Sequence, residues 1–312
     1  MASNRTIVGV LGGTGFVGGH LVPALISEGY RVRVLTRRPH RHREMSTLAE
    51  VELVKCNVYD AQDLRRGLTG CFAVINLVGI LNESHRYGFQ LVHVALPSRL
   101  VEICKQLEIR HLLHMSALNA DSGAPSKYLR SKGEGENKAH ATAGGRLRVT
   151  SFRPSVIFGP GDSFLNRFAG LAKMAPGVLP LACARARFAP VYVGDVVEAM
   201  LKALVDPDLA GKRIELCGPR EYTLKGLVER VAEWIHHPVR VIPLPEWASR
   251  LEARVLGVLP GKLFTLDNYR SMKIPSTCRE QRPGRTPLEA IAPLYLGDAT
   301  CQSRLQRYRR NV

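Results

Sequence analysis

The run Thr6-Ile-Val-Gly-Val-Leu-Gly12-Gly-Thr-Gly15-Phe-Val-Gly18 decides the fold. It reads as a short apolar strand, Thr6–Leu11, then a turn with glycines at 12, 15 and 18, then an amphipathic helix over Phe16–Glu28. Gly12 allows the tight turn, Gly15 lets the backbone approach a pyrophosphate, and Gly18 lets the helix pack closely on the strand. A pyrophosphate at such a turn rests on the free N–H groups and the positive end of the helix, lined by Thr14, Phe16 and Val17. A glycine triplet alone is a weak sign. Its place between a strand and a helix, with regular strand–helix units downstream, gives it meaning.

From Thr6 to Leu204 the chain alternates short apolar runs with amphipathic stretches. Further strands are expected at Arg31–Thr36, Val51–Cys56, Ala73–Val78, Arg110–Ser116 and Arg148–Arg153, and a clear helix at His93–Gln106. This pattern predicts an α/β chain with a Rossmann-type doubly wound parallel sheet. Pro and Gly crowd Arg153–Pro190, as in loops reaching over a site, and Phe188–Leu204 reads as a returning strand and helix. Apolar runs at Arg213–Cys217 and Val239–Pro243, with helical stretches at Leu224–Ile235 and Pro245–Leu259, predict a smaller C-terminal α/β domain on the substrate side. The expected division puts 1–158 and 188–205 in the dinucleotide domain, and 159–187 and 206–312 in the second.

Apolar residues make up 45% of the 312 and charged residues 23%, so the chain is globular rather than disordered. No stretch approaches the roughly 20 apolar residues of a membrane span. The net charge of +17, from 44 Lys and Arg against 27 Asp and Glu, suits nucleic acid, anionic lipid or an acidic protein. No RNP aromatics, zinc finger or recognition helix accompanies it, which argues against a specific nucleic-acid role. Seven cysteines without a CxxC argue against a disulfide framework and a zinc ribbon, and for a reducing compartment. The first residues hold no apolar signal core and no Arg-rich presequence, which predicts a cytoplasmic protein. The pairs His40/His42 and His236/His237 lack partners at metal-ligand spacing, so no metal site is expected. Trp247, Leu251, Val255 and Leu259 repeat every fourth residue. Such a stripe docks on a membrane or a partner or, the more usual case, packs within the second domain. The tail Cys301–Val312 carries four arginines and no acid, and is either a lipid contact or a frayed end.

The second strand ends Val34-Leu-Thr-Arg37-Arg38, with no carboxylate before Glu44. An acid there would bind a ribose 2′-hydroxyl, whereas arginine suits a 2′-phosphate. NADP(H) is therefore favoured over NAD(H). Asn57 lies where an amide reaches an adenine edge, and Val78 where the fourth strand passes the ribose. Tyr128-Leu-Arg-Ser-Lys132 places a phenol and an ammonium one turn apart on one helix face. A Lys close to a Tyr lowers the phenol's pKa, so Tyr128 can exchange a proton with a carbinol oxygen. Ser116, ending the fifth strand, is expected to hold a substrate oxygen. In the alternative reading Lys132 binds only the cofactor ribose and Tyr128 is a packing residue.

Together with Arg153-Pro-Ser-Val-Ile-Phe-Gly-Pro-Gly161 and Pro190-Val-Tyr-Val-Gly-Asp195, these motifs resemble the extended or atypical branch of the short-chain dehydrogenase/reductase superfamily. Four longer runs narrow the likeness: Val74-Ile-Asn-Leu-Val-Gly-Ile-Leu81, His114-Met-Ser-Ala-Leu118, Tyr128-Leu-Arg-Ser-Lys-Gly-Glu-Gly135 and Phe158-Gly-Pro-Gly-Asp-Ser-Phe-Leu-Asn-Arg167. They are similar to the family named for the ninth alpha-subcomplex subunit of respiratory complex I and its bacterial relatives. The resemblance implies one of two roles. The first is an NAD(P)-dependent oxidoreductase or sugar-nucleotide epimerase using Tyr128 and Lys132, with a link to ubiquinone biosynthesis. The second is a catalytically silent, NADPH-holding accessory or assembly subunit of a membrane-associated respiratory or quinone-synthesising complex, peripheral to the inner face of the membrane. His93 then stands at the position of the superfamily's catalytic-helix Asn.

Overall fold

The computed structural model describes residues 6–84, 86–258, 264–278 and 284–296. Two units divide the chain, 1–154 with 196–215 and 155–195 with 216–312.

In the first unit, strands β1 (Ile7–Leu11), β2 (Arg31–Thr36), β3 (Val51–Lys55), β4 (Ala73–Asn76), β5 (His111–Met115) and β6 (Arg148–Pro154) alternate with four helices. These are α1 (Phe16–Ser27), α2 (Ala61–Leu68), α3 (Leu96–Gln106) and α4 (Lys127–Thr142). The sheet has seven strands in the order Arg213–Leu216, β6, β5, β4, β1, β2, β3. Every pairing among β1 to β6 is parallel. Strand order reverses between β1 and β4, the switch point at which open sheets of this kind bind ligands. Val8, Val10, Val74 and Ile75 are fully buried, as strands covered on both faces require. Along α1, Gly18, Leu21, Val22 and Leu25 form the buried stripe, each aliphatic side chain contributing about 2 kcal/mol.

The chain enters α3 through one turn of π-helix, Gln90–Ala95, which carries the buried His93. Such turns are frequent at functional sites. Ser126 caps α4, accepting from Leu129 N–H at 3.1 Å. A Cβ on Gly135 would stand 1.7 Å from His93 O, and one on Gly133 would stand 2.5 Å from Asp121 N. Those two glycines let α4 lie directly against its neighbours.

The division differs from the sequence expectation in three short segments: 155–158 and 188–195 lie in the second unit and 206–215 in the first. Ser151 N–H donates to Lys212 O at 2.9 Å and Arg213–Leu216 closes the sheet edge, so 206–215 belong to the first unit. Val191 N–H donates to Val156 O at 2.9 Å and Asp195 accepts from Thr286, so 188–195 go with the second.

The second unit packs helices Phe164–Met174, Leu224–Trp234, Glu246–Val258 and Leu288–Leu296 with short paired strands around Phe158, Leu165, Leu227 and Val231. The Pro/Gly-rich stretch expected as loops thus contains a helix. Leu165, Ala169 and Ala172 share its buried face, and Asp162 accepts from Leu165 N–H at 2.7 Å at its start. Cys217 and Cys278 form a disulfide across 61 residues of chain, a single bridge that the argument against a disulfide framework did not anticipate. At that separation no local spacing pattern exists to be read. Trp247, Leu251 and Val255 are exposed rather than core, because the helix packs through Ser249 and Ala253 on its other side. Leu259 and the tail Cys301–Val312 lie outside the described residues. No described helix is long and apolar enough to cross a membrane.

Candidate functional site

The glycine turn after β1 takes the shape its residues demand. Gly12 has φ of +75°, and Gly15 N–H closes on Gly12 O at 3.0 Å. A Cβ on Gly12 would lie 3.1 Å from the carbonyl carbon of Leu77 and 3.2 Å from Val78 N, so the turn and the end of β4 meet backbone to backbone. A Cβ on Gly18 would lie 2.4 Å from Gly13 O. Gly15 is the N-cap of α1 and offers no side-chain acceptor to its first turn, where Phe16, Val17 and Gly18 lie beside the half-buried Thr14. An uncapped helix start behind a turn that admits no Cβ fits the pyrophosphate of a dinucleotide.

At the end of β2, Arg37 donates to the Tyr87 hydroxyl and stands 5.1 Å above its ring. Tyr87 lies 5.2 Å from the Tyr59 ring. Arg38 is exposed, and its guanidinium has no partner among the described residues. Of the two arginines that end β2, Arg38 is the one whose guanidinium stays open. Asn57 Oδ1 accepts from Tyr59 N–H at 3.2 Å, so half of the amide expected at the adenine edge is used by the turn before α2.

Along α4, Tyr128, Lys132, Glu136 and His140 recur every fourth residue and form a polar stripe. Lys132 is buried and donates to Met115 O at 2.9 Å. Its Nζ would stand 3.1 Å from a Cβ on Gly79, which puts it at the ends of β4 and β5. Burial pulls the ammonium down to about 8, with Glu136 opposing. Tyr128 is half-buried, its ring edge-on to His93 at 5.5 Å and to Phe89 at 6.0 Å. Burial pushes its phenol up to about 12. This corrects the expectation that Lys132 lowers it: the ammonium is directed at Met115 O, and desolvation decides.

Ser116 also departs from expectation. Its hydroxyl donates to Glu136 Oε2 at 2.6 Å. Glu136 is fully buried and held by Arg153 Nε at 3.0 Å and Arg213 Nε at 2.9 Å. Ser116 thus supports a buried ion-pair cluster, and its proton is not available to a substrate oxygen.

Two histidines complete the layer. His93 Nε2 accepts from Ile80 N–H at 3.1 Å, so Nδ1 carries the proton toward Ser131 Oγ at 2.9 Å, and Ser131 donates to Tyr128 O at 2.8 Å. Burial, then the nearby Lys132, pulls His93 down to about 2. Asn76 Oδ1 accepts from Val78 N–H at 3.1 Å, and its amide donates to His114 Nδ1 at 3.2 Å. Burial and Lys132 hold His114 at about 3. The fold thus brings Gly12, Val78, Gly79 and Lys132 to one edge of the sheet, with Tyr128 one turn before Lys132.

The profile of the NAD dependent epimerase/dehydratase family matches residues 8–217. The chain belongs to this family. NADH dehydrogenase (ubiquinone) 1 alpha subcomplex subunit 9 of Mus musculus is 29% identical over 310 residues, covering 96% of this chain and 80% of that one. Ceramide reductase of Caulobacter vibrioides is 32% identical over 244 residues, covering 78% and 74%. Among solved structures, UDP-glucose 4-epimerase of Thermotoga maritima with UDP-glucose superposes with a TM-score of 0.69 at 18% identity, over 93% of this chain and 97% of that one. UDP-glucuronic acid 4-epimerase of Bacillus cereus, with UDP-glucuronic acid and NAD, gives 0.65 at 18% identity over 77% and 86%. At such identities the two epimerases share the fold.

The layer around Lys132 also contains polar groups that motif reading passed over. Glu136 and His140 continue the Tyr128/Lys132 spacing, and two ionisable residues on the inner face of a helix were the available signal. His93 was marked by its place on the helix, but its link through Ser131 to Tyr128 O left no signal, because it depends on the π-turn. The second unit holds a cavity of about 690 Å³ bordered by Arg185, Arg187, Leu244, Tyr269 and Lys273, which no motif marks.

Proposed function

We propose that the chain is an NADP(H)-binding oxidoreductase or epimerase-like enzyme of the short-chain dehydrogenase type. The observation that carries the reading is the convergence of Gly12, Val78 and Gly79 with Lys132 at the switch point of the sheet. When bound, the nicotinamide supplies or accepts a hydride. The protein's own part is to seat the pyrophosphate on the start of α1, pair a 2′-phosphate with Arg38, and hold Lys132 beside the nicotinamide ribose. Tyr128 keeps its proton to high pH and serves as the donor to an oxyanion forming on the substrate. The same reading sets the protein in the cytoplasm at the inner face of the membrane, with a link to ubiquinone biosynthesis.

The test is NADPH oxidation with fractionated cell metabolites and quinones. Y128F should lose at least about a hundredfold in rate, the scale of one general acid, while holding NADPH as tightly as the native protein. Equal turnover by Y128F would remove the tyrosine from the chemistry.

A second reading has a specific observation behind it. Ser116 is bonded to Glu136 and Lys132 to Met115 O, so the groups of a proton relay are occupied within the protein. The mouse relative spanning 96% of the chain bears the name of a complex I subunit. In this reading the protein is an accessory or assembly subunit of a respiratory or quinone-synthesising complex, and NADPH stabilises its fold. Saturation at a hundred times the dissociation constant would add about 2.7 kcal/mol. Recovery as a monomer from gently solubilised cells, away from every membrane fraction, would count against it.

A further inference from the structure

We propose that the helix Glu246–Val258 docks the protein on an anionic lipid bilayer, lying in the plane of the interface. Its outer face presents Trp247, 71% exposed, with Leu251 at 53% and Val255 at 56%. At 100° per residue these three fall within one arc, and the exposed Arg254 and Arg250 border it on the Trp247 side. The opposite side packs into the second unit through the buried Ser249 and Ala253. The helix is therefore held by its unit, and its outward apolar stripe has no use inside the fold. Seven of the nine large apolar residues exposed among the described residues, all but Leu81 and Val205, belong to this unit.

Charge selects the occupant. The arc contains arginine and no acid. Glu246, at the helix start, is already paired with Arg250 at 3.4 Å and Lys273 at 3.8 Å. Arg254 has no partner among the described residues. A second copy docking the same face would set arginine against arginine. Three side chains also fall short of the roughly 800 Å² per partner that a stable protein interface buries. An interfacial helix needs less, an apolar edge sunk about 5–10 Å with cations above it. Tryptophan suits the headgroup level, and the stem of Arg254 lies along the apolar boundary while its guanidinium meets a phosphate; Arg250, which also donates to the Tyr269 hydroxyl at 3.3 Å, adds positive charge beside it. The chain's charge of +17 draws it to the same surface.

The proposal rests on the location proposed above and is independent of the dinucleotide chemistry. The test is co-sedimentation of the whole protein with phosphatidylcholine vesicles, with and without phosphatidylglycerol. NADPH retention is followed in parallel as a check on the fold. The native protein should pellet with the anionic vesicles only, with a blue shift of Trp247 emission that W247S lacks. R250Q/R254Q should bind roughly thirtyfold more weakly, and W247S/L251S/V255S should lose binding, both still holding NADPH. Equal pelleting with neutral vesicles, or anionic binding that both variants retain, would overturn the docking assignment. So would self-association through these residues without vesicle binding. Loss of NADPH binding with vesicle binding intact would instead count against the dinucleotide reading alone.

Discussion

The turn after β1 and the stripe along α4 lie in the same unit, and they use their polar groups in opposite ways. At the turn the groups face outward: Gly15 gives the first turn of α1 no side-chain cap, and Arg38 has no partner among the described residues. Along α4 they are spent inward, Lys132 on Met115 O, Ser116 on Glu136, and Glu136 on two arginines. A surface whose hydrogen-bonding capacity is unspent is built to receive a ligand. One whose capacity is spent is built to hold its own shape. The contrast separates cofactor binding from proton transfer and makes each breakable by itself.

The largest effect is expected on the α4 side. E136A leaves Arg153 and Arg213 facing an empty space, and should cost about 4 kcal/mol, read as a lower urea midpoint. A loss under about 1 kcal/mol would show the cluster to be solvated. On the other side, a methyl group at Gly18 meets Gly13 backbone at 2.4 Å. G18A should cost about 3 kcal/mol in strain and weaken NADPH binding more than it weakens the fold. Stability lost with affinity kept would place the nucleotide elsewhere.

Smaller changes sharpen the comparison. R38A removes one charge-assisted contact worth about 2 kcal/mol. In a paired titration it should lower NADPH affinity about thirtyfold and leave NADH unchanged. Equal loss of both would make Arg38 a general anion contact. Acid sensitivity reports on the inward side. His93 and His114 stay neutral in the folded protein down to about 2 and about 3, while the unfolded chain takes up their protons near pH 6.5. Stability is thus complete above that pH and falls below it, by about 1.4 kcal/mol per pH unit for each histidine. H93Q should show a shallower decline between pH 6 and 4 in chemical unfolding; an unchanged slope would mean that His93 protonates in place.

The turn was readable because Gly12, with its positive φ, and Gly18, packed on Gly13, answer backbone requirements that other residues meet poorly, and the strand–helix alternation is a property of the chain itself. The α4 side was readable only in outline. The spacing of Tyr128 and Lys132 set them on one face, but the phenol's pKa depends on which atom the ammonium finds, and that atom is a carbonyl of another strand. Ser116 gave no hint of Glu136, twenty residues on and one helix away. Cys217 and Cys278 meet only because the second unit folds. Periodicity likewise revealed the stripe at Trp247, but whether anything covers it is a matter of tertiary packing.

Native mass spectrometry of the purified protein, titrated with NADPH and NADH in competition, tests the outward-facing turn most directly. One NADPH per chain, displaced by NADH only in large excess and lost in G18A, is the predicted result. A chain that binds neither nucleotide, or takes NADH first, would contradict it.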